Sequence, residues 1–241
     1  FRFSGLKWRK HLPALYTING ITLIGGVFLF LDIPLLRFAH STHAAGVYGF
    51  AIKMVRIPAT LITDFLLVLY PHSVDVFHNR SREHAASMIN KSIHLLLFLS
   101  IPLCMGLFVI AEPLTSVFLG EAYAKVSFDL RILSLFPLLI SIELFFQKQI
   151  LLANHQERYV LRTLSWIACI FLAGIYFLSR TMADTGASIA MAGAEFLLMF
   201  AYGWRVVKSD PQLLQGLTVR IMQLLGSSLL FIPIAYLVRF I

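Results

Sequence analysis

Leu95-Leu96-Leu97-Phe98-Leu99-Ser100-Ile101-Pro102-Leu103-Cys104-Met105-Gly106-Leu107-Phe108-Val109-Ile110-Ala111 runs for seventeen residues without an Asp, Glu, Lys or Arg. Extended back to Ser92 it reaches the roughly 20 residues that a helix rising about 1.5 Å per residue needs to cross the hydrocarbon core of a bilayer. The same reading finds further spans at 14–36, 45–70, 130–153, 161–178, 185–206 and 218–238. A backbone surrounded by lipid must satisfy its own hydrogen bonds, so spans this apolar are predicted as helices and not as open strands. The expected fold is all-α: a polytopic membrane helix bundle of about seven transmembrane helices, forming a single bundle over 1–241.

Composition agrees with that expectation. Of 241 residues 59% are hydrophobic and 13% charged, with a mean hydropathy of +0.81, whereas soluble domains carry about 25% charge. Apolar runs recur along the whole length, so none stands apart as a cleaved leader. Phe1 at the start and the apolar run ending at Ile241 lead to the expectation of a fragment of a longer chain. Cys104 and Cys169 each lie in an apolar stretch and read as small hydrophobes, without a disulfide framework or metal site.

Breaks between spans are expected at Pro71, along 72–91, at Glu112-Pro113, at Asn154 to Arg158 and at Ser209-Asp210-Pro211. Residues 74–89 fit either a helix lying on the membrane surface or a solvated loop. The net charge of +8 is spread between apolar runs, which excludes a nucleic-acid-binding face. Placing the N-terminus in the cytoplasm puts twelve Lys and Arg on the inside, among them Arg80, Arg82, Arg158, Arg162 and Arg205. Five fall outside (Arg37, Lys125, Arg131, Arg180 and Arg239) and three within spans, the asymmetry that a correct topology should show.

The informative residues are ionisable groups inside spans, which cost about 2.5 to 3.5 kcal/mol unless they face a cavity or a partner. At about 100° per residue, Lys53, Arg56, Thr60, Thr63 and Asp64 gather in one stripe of the second span, with Pro58 at its centre favouring a kink. Lys53 and Asp64 are eleven residues apart, roughly 16 Å along the axis, so each needs another partner. Glu143 in the fourth span aligns with Gln147 and Asn154, and Glu195 in the sixth with Asp184, Ser188 and Tyr202. Both glutamates fall near the midplane, close to the depth of Arg56, and Arg56 is expected to pair with one of them. Asp32 reads as an interfacial carboxylate and Lys148 as a residue that snorkels to the inner boundary. Gly186, Ala190 and Ala194 form a small-residue ridge suited to helix contact.

Enzyme signatures are scarce, so no catalytic residue and no cofactor is assigned. Glycine phosphate loops, nucleophile elbows and zinc motifs are missing. His72, His78 and His84 are six apart and share no helix face, which argues against a metal site. His78 with Glu83 five positions on is a poor likeness of the acyltransferase pair, which ends in Asp.

Ala45-Gly46-Val47-Tyr48-Gly49-Phe50-Ala51-Ile52-Lys53 resembles the segment at the start of the eighth helix of polysaccharide flippases, and Leu69-Tyr70-Pro71 resembles its inner end. Phe118-Leu119-Gly120-Glu121-Ala122-Tyr123 followed by Leu130-Arg131-Ile132-Leu133 is similar to the loop before the tenth helix. Asp184-Thr185-Gly186-Ala187-Ser188-Ile189-Ala190, with Glu195 beyond, is similar to the start of the twelfth. The chain thus resembles the C-terminal half of an O-antigen type polysaccharide flippase of the multidrug/oligosaccharidyl-lipid/polysaccharide (MOP) superfamily. The seventh span departs from a twelve-helix plan and would fit a longer member.

The resemblance implies two bundles around a central cavity in the cytoplasmic (inner) membrane, with an N-terminal half bundle as partner. It further implies export of lipid-linked oligosaccharide carried on a polyprenyl diphosphate, coupled as in an antiporter to a proton or sodium ion. On that reading Lys53, Arg56, Thr60 and Asp64 are expected to bind substrate and Glu143 and Glu195 to take the coupling ion. Three rivals stand beside it, one of them a non-transporting scaffold, which would tolerate neutralising the stripe without loss of function. A multidrug extruder of the same superfamily would want an acidic, aromatic cavity, and a membrane-bound transferase acting on lipid-linked sugar would want a catalytic acid or metal ligands in its loops.

Overall fold

A computed structural model describes residues 8–120, 123 and 125–209; the expected span at 218–238 lies outside the described residues. Helices account for nearly all of the described chain, and no strand occurs among those residues. The fold is an all-α bundle. Helix α1 spans Trp8–Phe30, α2 Asp32–Ala39, α3 Thr42–Asn79, α4 Arg82–Leu119, α5 Lys125–Leu133 and α6 Phe136–Leu144. A π-helical run, Phe145–Leu152, continues α6, and α7 covers Glu157–Ser209.

The first expected span is two helices. Pro34 has no N–H to give the carbonyl of Phe30, and its ring crowds that carbonyl, so the chain breaks at Leu31 and α1 and α2 meet at 48°. Two-residue links then join α2 to α3 and α3 to α4. Ser41 and Ser81 end these links by accepting the backbone N–H of Ala44 (3.2 Å) and His84 (3.4 Å), the usual role of serine before a helix.

Residues 74–89 are neither a surface helix nor a loop; they are the end of α3 and the start of α4. Pro71 lies inside α3 and does not stop it. Ser73 donates to the Leu69 carbonyl (3.2 Å), and Gln149 of the π-helical run donates to the Leu66 carbonyl (2.5 Å) and accepts from the Ser73 hydroxyl. Glu112-Pro113 likewise fails to end α4, which continues to Leu119 and closes on Gly120, whose φ of 75° suits a residue without a Cβ.

Helix α7 reverses on itself at Ala183, where φ is 53° and ψ −127°. The two arms, 157–182 and 184–209, run antiparallel, since Tyr159 Oη donates to the Ala201 carbonyl (3.0 Å) and Tyr202 Oη to that of Val160 (3.3 Å). The small-residue ridge is the seam of this hairpin. A Cβ on Gly186 would stand 2.5 Å from the Leu178 backbone, and one on Gly174 would stand 3.3 Å from Cβ of Ala190. Only glycine allows the first of these approaches.

Length and composition make Arg82–Leu119 and Glu157–Ser209 able to cross a membrane, and the bent pair α1–α2 together qualifies as a third crossing. The reversal at Ala183 divides Glu157–Ser209 into two arms of about 39 Å each at 1.5 Å per residue. Helix α3 packs against α2, α4, α5, α6, the π-helical run and α7. Its inner face therefore contributes Tyr48, Ile52, Val55 and Leu66 to an apolar core shared with Ile93, Leu96, Phe145, Phe171 and Tyr202, and Phe28 stacks on Phe171 with ring centroids 4.7 Å apart.

Candidate functional site: a buried ionic seam

Where α1 breaks, the Phe28 carbonyl loses its place in a continuous helical ladder and accepts Nη2 of Arg56 at 2.7 Å. The same nitrogen donates to Oδ2 of Asp32 at 2.8 Å, and Tyr48 Oη donates to that oxygen at 3.1 Å. The other oxygen, Oδ1, accepts the backbone N–H of Ile33 (2.8 Å), one of the donors that the first turn of α2 leaves without a helical partner. Asp32 is fully buried. It is therefore the anchor of the seam and not the interfacial carboxylate expected from its position near the end of a span. Arg56 correspondingly takes Asp32 as its partner, in place of the expected midplane glutamate.

The glutamates nonetheless lie close by. Glu195, on the second arm of α7, is buried within electrostatic reach of Arg56, and its Oε2 has no hydrogen-bond partner. Nε of Arg56 is also buried and unpartnered. Glu143 of α6 is buried within reach of Glu195 and of Lys148, and Gln147 Nε2 donates to it at 3.3 Å. The aligned face read for α7 is real: Ser188, Glu195 and Tyr202 are all buried along it. Asn154 departs from the predicted alignment with Glu143. The i→i+5 bonding of the π-helical run turns each residue by less than an α-helix does, so by Asn154 the register has slipped and the side chain is exposed.

The stripe on α3 divides. Arg56 and Thr63 are half-buried at its inner edge, whereas Lys53, Thr60 and Asp64 are exposed on the outer surface of this bundle. Thr60 donates to the Ile57 carbonyl (2.6 Å) and Thr63 to that of Thr60 (3.1 Å). Lys53 and Asp64 form no ion pair among the described residues. They share their face with exposed Ile57, Leu61 and Val68, so it is neither a uniformly lipid-like nor a uniformly wet surface.

Sequence reading misses the contact of Asp32 with Tyr48. Asp32 and Tyr48 meet only because the break at Leu31 and the two-residue link fold α2 against α3, which no spacing reveals. A separate acid, Asp129, is fully buried in the middle of α5 beside Asp184, Thr185 and Ser188.

Fold and seam together define a helical membrane protein with paired and unpaired charges in its interior. A family model described as polysaccharide biosynthesis protein matches residues 34–128, under half of the chain. That stretch holds α3 and α4 entire, hence Lys53, Arg56, Thr60 and Asp64, while Asp32, Glu143 and Glu195 lie outside it. No curated protein and no solved structure matches the chain.

Proposed function

We propose that this bundle is half of a cation-coupled carrier that flips polyprenyl-diphosphate-linked oligosaccharide across the cytoplasmic membrane for polysaccharide biosynthesis. The observation that carries the reading is the position of Arg56, bonded to one buried carboxylate and within reach of another that has an unpaired oxygen. The family similarity supports it, because the matched residues include the helix that bears Arg56 and the exposed polar stripe.

In this mechanism the stripe of α3 faces a second, N-terminal bundle across a wet cavity. Lys53 attracts the diphosphate from the cavity side, and Thr60 and Asp64 accept hydrogen bonds from sugar hydroxyls. Arg56 then exchanges Asp32 for phosphate oxygens, which its planar fork can grip with two donors at once. The exchange also withdraws the donor that braces the Phe28 carbonyl, so the hinge at Leu31 is released and α1 can swing relative to α2. A proton or sodium ion on Glu195 or Glu143 weakens the pull of those carboxylates on Arg56 and returns it to Asp32. The two states thus bind substrate and ion differently, the condition for ligand to drive the transition.

A multidrug extruder would gain nothing from cations at Lys53 and Arg56, which would repel its usual organic cations. The test is surface polysaccharide in cells whose only copy of the transporter carries Arg56→Gln. Loss of polymer with normal membrane insertion supports the reading, and wild-type polymer levels overturn it.

A further inference from the structure

Helix α5 buries one face, Val126, Asp129, Leu130 and Leu133, of which three are apolar and one is a carboxylate with no exposed surface. The helix packs on α7, where Asp129 comes close enough to interact with the side chains of Asp184, Thr185 and Ser188 at the start of the second arm. Neither oxygen of Asp129 accepts a hydrogen bond. The Ser188 hydroxyl beside it is also fully buried and also without a partner. Buried polar groups are nearly always satisfied, and a buried charge is paired or ligates a metal. No basic side chain is ion-paired to Asp129 or Asp184 among the described residues. Arg131 bonds Glu112 at 3.0 Å, Arg180 lies over the Tyr176 ring 4.2 Å from its centre, and Lys125, one turn before Asp129, is exposed. The fold nevertheless holds the two acids together. Ala183, with φ of 53°, fixes the reversal one residue before Asp184, and Gly186 seats the second arm directly on the Leu178 backbone.

We infer that Asp129, Asp184, Thr185 and Ser188 bind a calcium-sized divalent cation that ties α5 to the hairpin of α7. Two carboxylates and two hydroxyls offer a hard, all-oxygen donor set with two negative charges, the kind that calcium takes at about 2.3 to 2.6 Å in flexible geometry. Magnesium fits less well, because it demands a near-ideal octahedron and keeps much of its water. The half-buried Asp184 and Thr185 leave the ion a way in, while Asp129 and Ser188 close the inner side. Asp184 stands eleven residues from Glu195 on one helix, roughly 16 Å along its axis. The site is therefore separate from the carboxylates assigned to coupling, and the inference does not rest on the transport mechanism.

The full protein in detergent, stripped of metal with EDTA, is titrated separately with calcium, magnesium and sodium chloride at constant ionic strength. Affinity is read by isothermal titration and stability by the thermal unfolding midpoint. Wild type is expected to take up calcium saturably, at least tenfold more tightly than magnesium, and to melt at a higher temperature with it. Asp129→Asn should bind calcium at least tenfold more weakly at unchanged helical content, and its metal-free form should melt no lower than metal-free wild type, because a repulsive charge has gone. Ser188→Ala keeps both carboxylates and should weaken calcium binding severalfold, which reads the site even where Asp129→Asn fails to fold. Asp75→Asn removes an exposed acid near the C-terminal end of α3 and should leave the affinity unchanged. Calcium affinity equal to wild type in Asp129→Asn or Ser188→Ala overturns the inference. So does a response to sodium alone, or stabilisation by acid in place of calcium, which would mean a proton shared between the two acids.

Discussion

Arg56 of α3 bonds Asp32 across a buried 2.8 Å contact while Glu195, on another helix, lies within its electrostatic reach with an oxygen unpaired. One guanidinium thus stands between two carboxylates on separate elements, and it also holds the carbonyl freed where α1 breaks.

Removing Asp32 alone strands a half-buried cation and leaves Tyr48 without its acceptor. Such a loss typically costs about 3 to 5 kcal/mol, whereas replacing both members of a buried pair by apolar groups is often neutral. Asp32→Asn is expected to unfold at markedly lower temperature than wild type in detergent, and Asp32→Leu/Arg56→Met to recover most of the loss without recovering transport. A double variant no more stable than Asp32→Asn would show that the loss does not come from a stranded Arg56 charge.

Neutralising Glu195 should separate coupling from folding. Its Oε2 makes no hydrogen bond, so Glu195→Gln is expected to preserve the thermal midpoint or raise it. In proteoliposomes the variant should lose the response of transport to an imposed cation gradient. A gradient response equal to wild type would assign coupling elsewhere.

The hairpin of α7 depends on one glycine. Gly186→Ala drives a methyl to 2.5 Å from the Leu178 backbone, an overlap that the helices relieve only by moving apart, at about 1 to 3 kcal/mol. Gly193, where nothing lies within 4 Å of an added Cβ, is the control. Gly193→Ala should stabilise by up to about 1 kcal/mol through helix propensity. Chemical denaturation of both variants checks the contrast.

Lys53 and Asp64 test which medium the outer face of α3 meets. Both are exposed and outside any ion pair among the described residues, so Lys53→Gln and Asp64→Asn should change stability by less than about 0.5 kcal/mol. If that face lines the transport path, each should still lower the apparent affinity for lipid-linked substrate. Unchanged affinity would mean that the face contacts lipid.

Much of the fold could be read from apolar length alone, because the bilayer leaves helices as the only economical use of such runs. Element boundaries were less legible. Pro71 and Pro113 look like stops in a sequence, yet each sits inside a helix. At Pro34, which lies inside a predicted span, the helix does break. Periodicity found the inward face of α7 and the polar stripe of α3. It could not show that the stripe splits between surface and interior, since that depends on which neighbours α3 acquires. The partnership of Asp32 with Arg56 and Tyr48 was invisible for the same reason, and the π-helical run removed Asn154 from an alignment that assumed 100° per residue.

The most direct test is the initial rate at which the full transporter, reconstituted at equal density, moves polyprenyl-diphosphate-linked oligosaccharide across liposomes. Arg56→Gln should reduce that rate by about a hundredfold, the scale of losing two charge-assisted hydrogen bonds. Arg56→Lys should restore a minor part through charge without the fork. A glutamine variant that moves substrate at the wild-type rate would contradict the account, whatever the stability of the Asp32 pair.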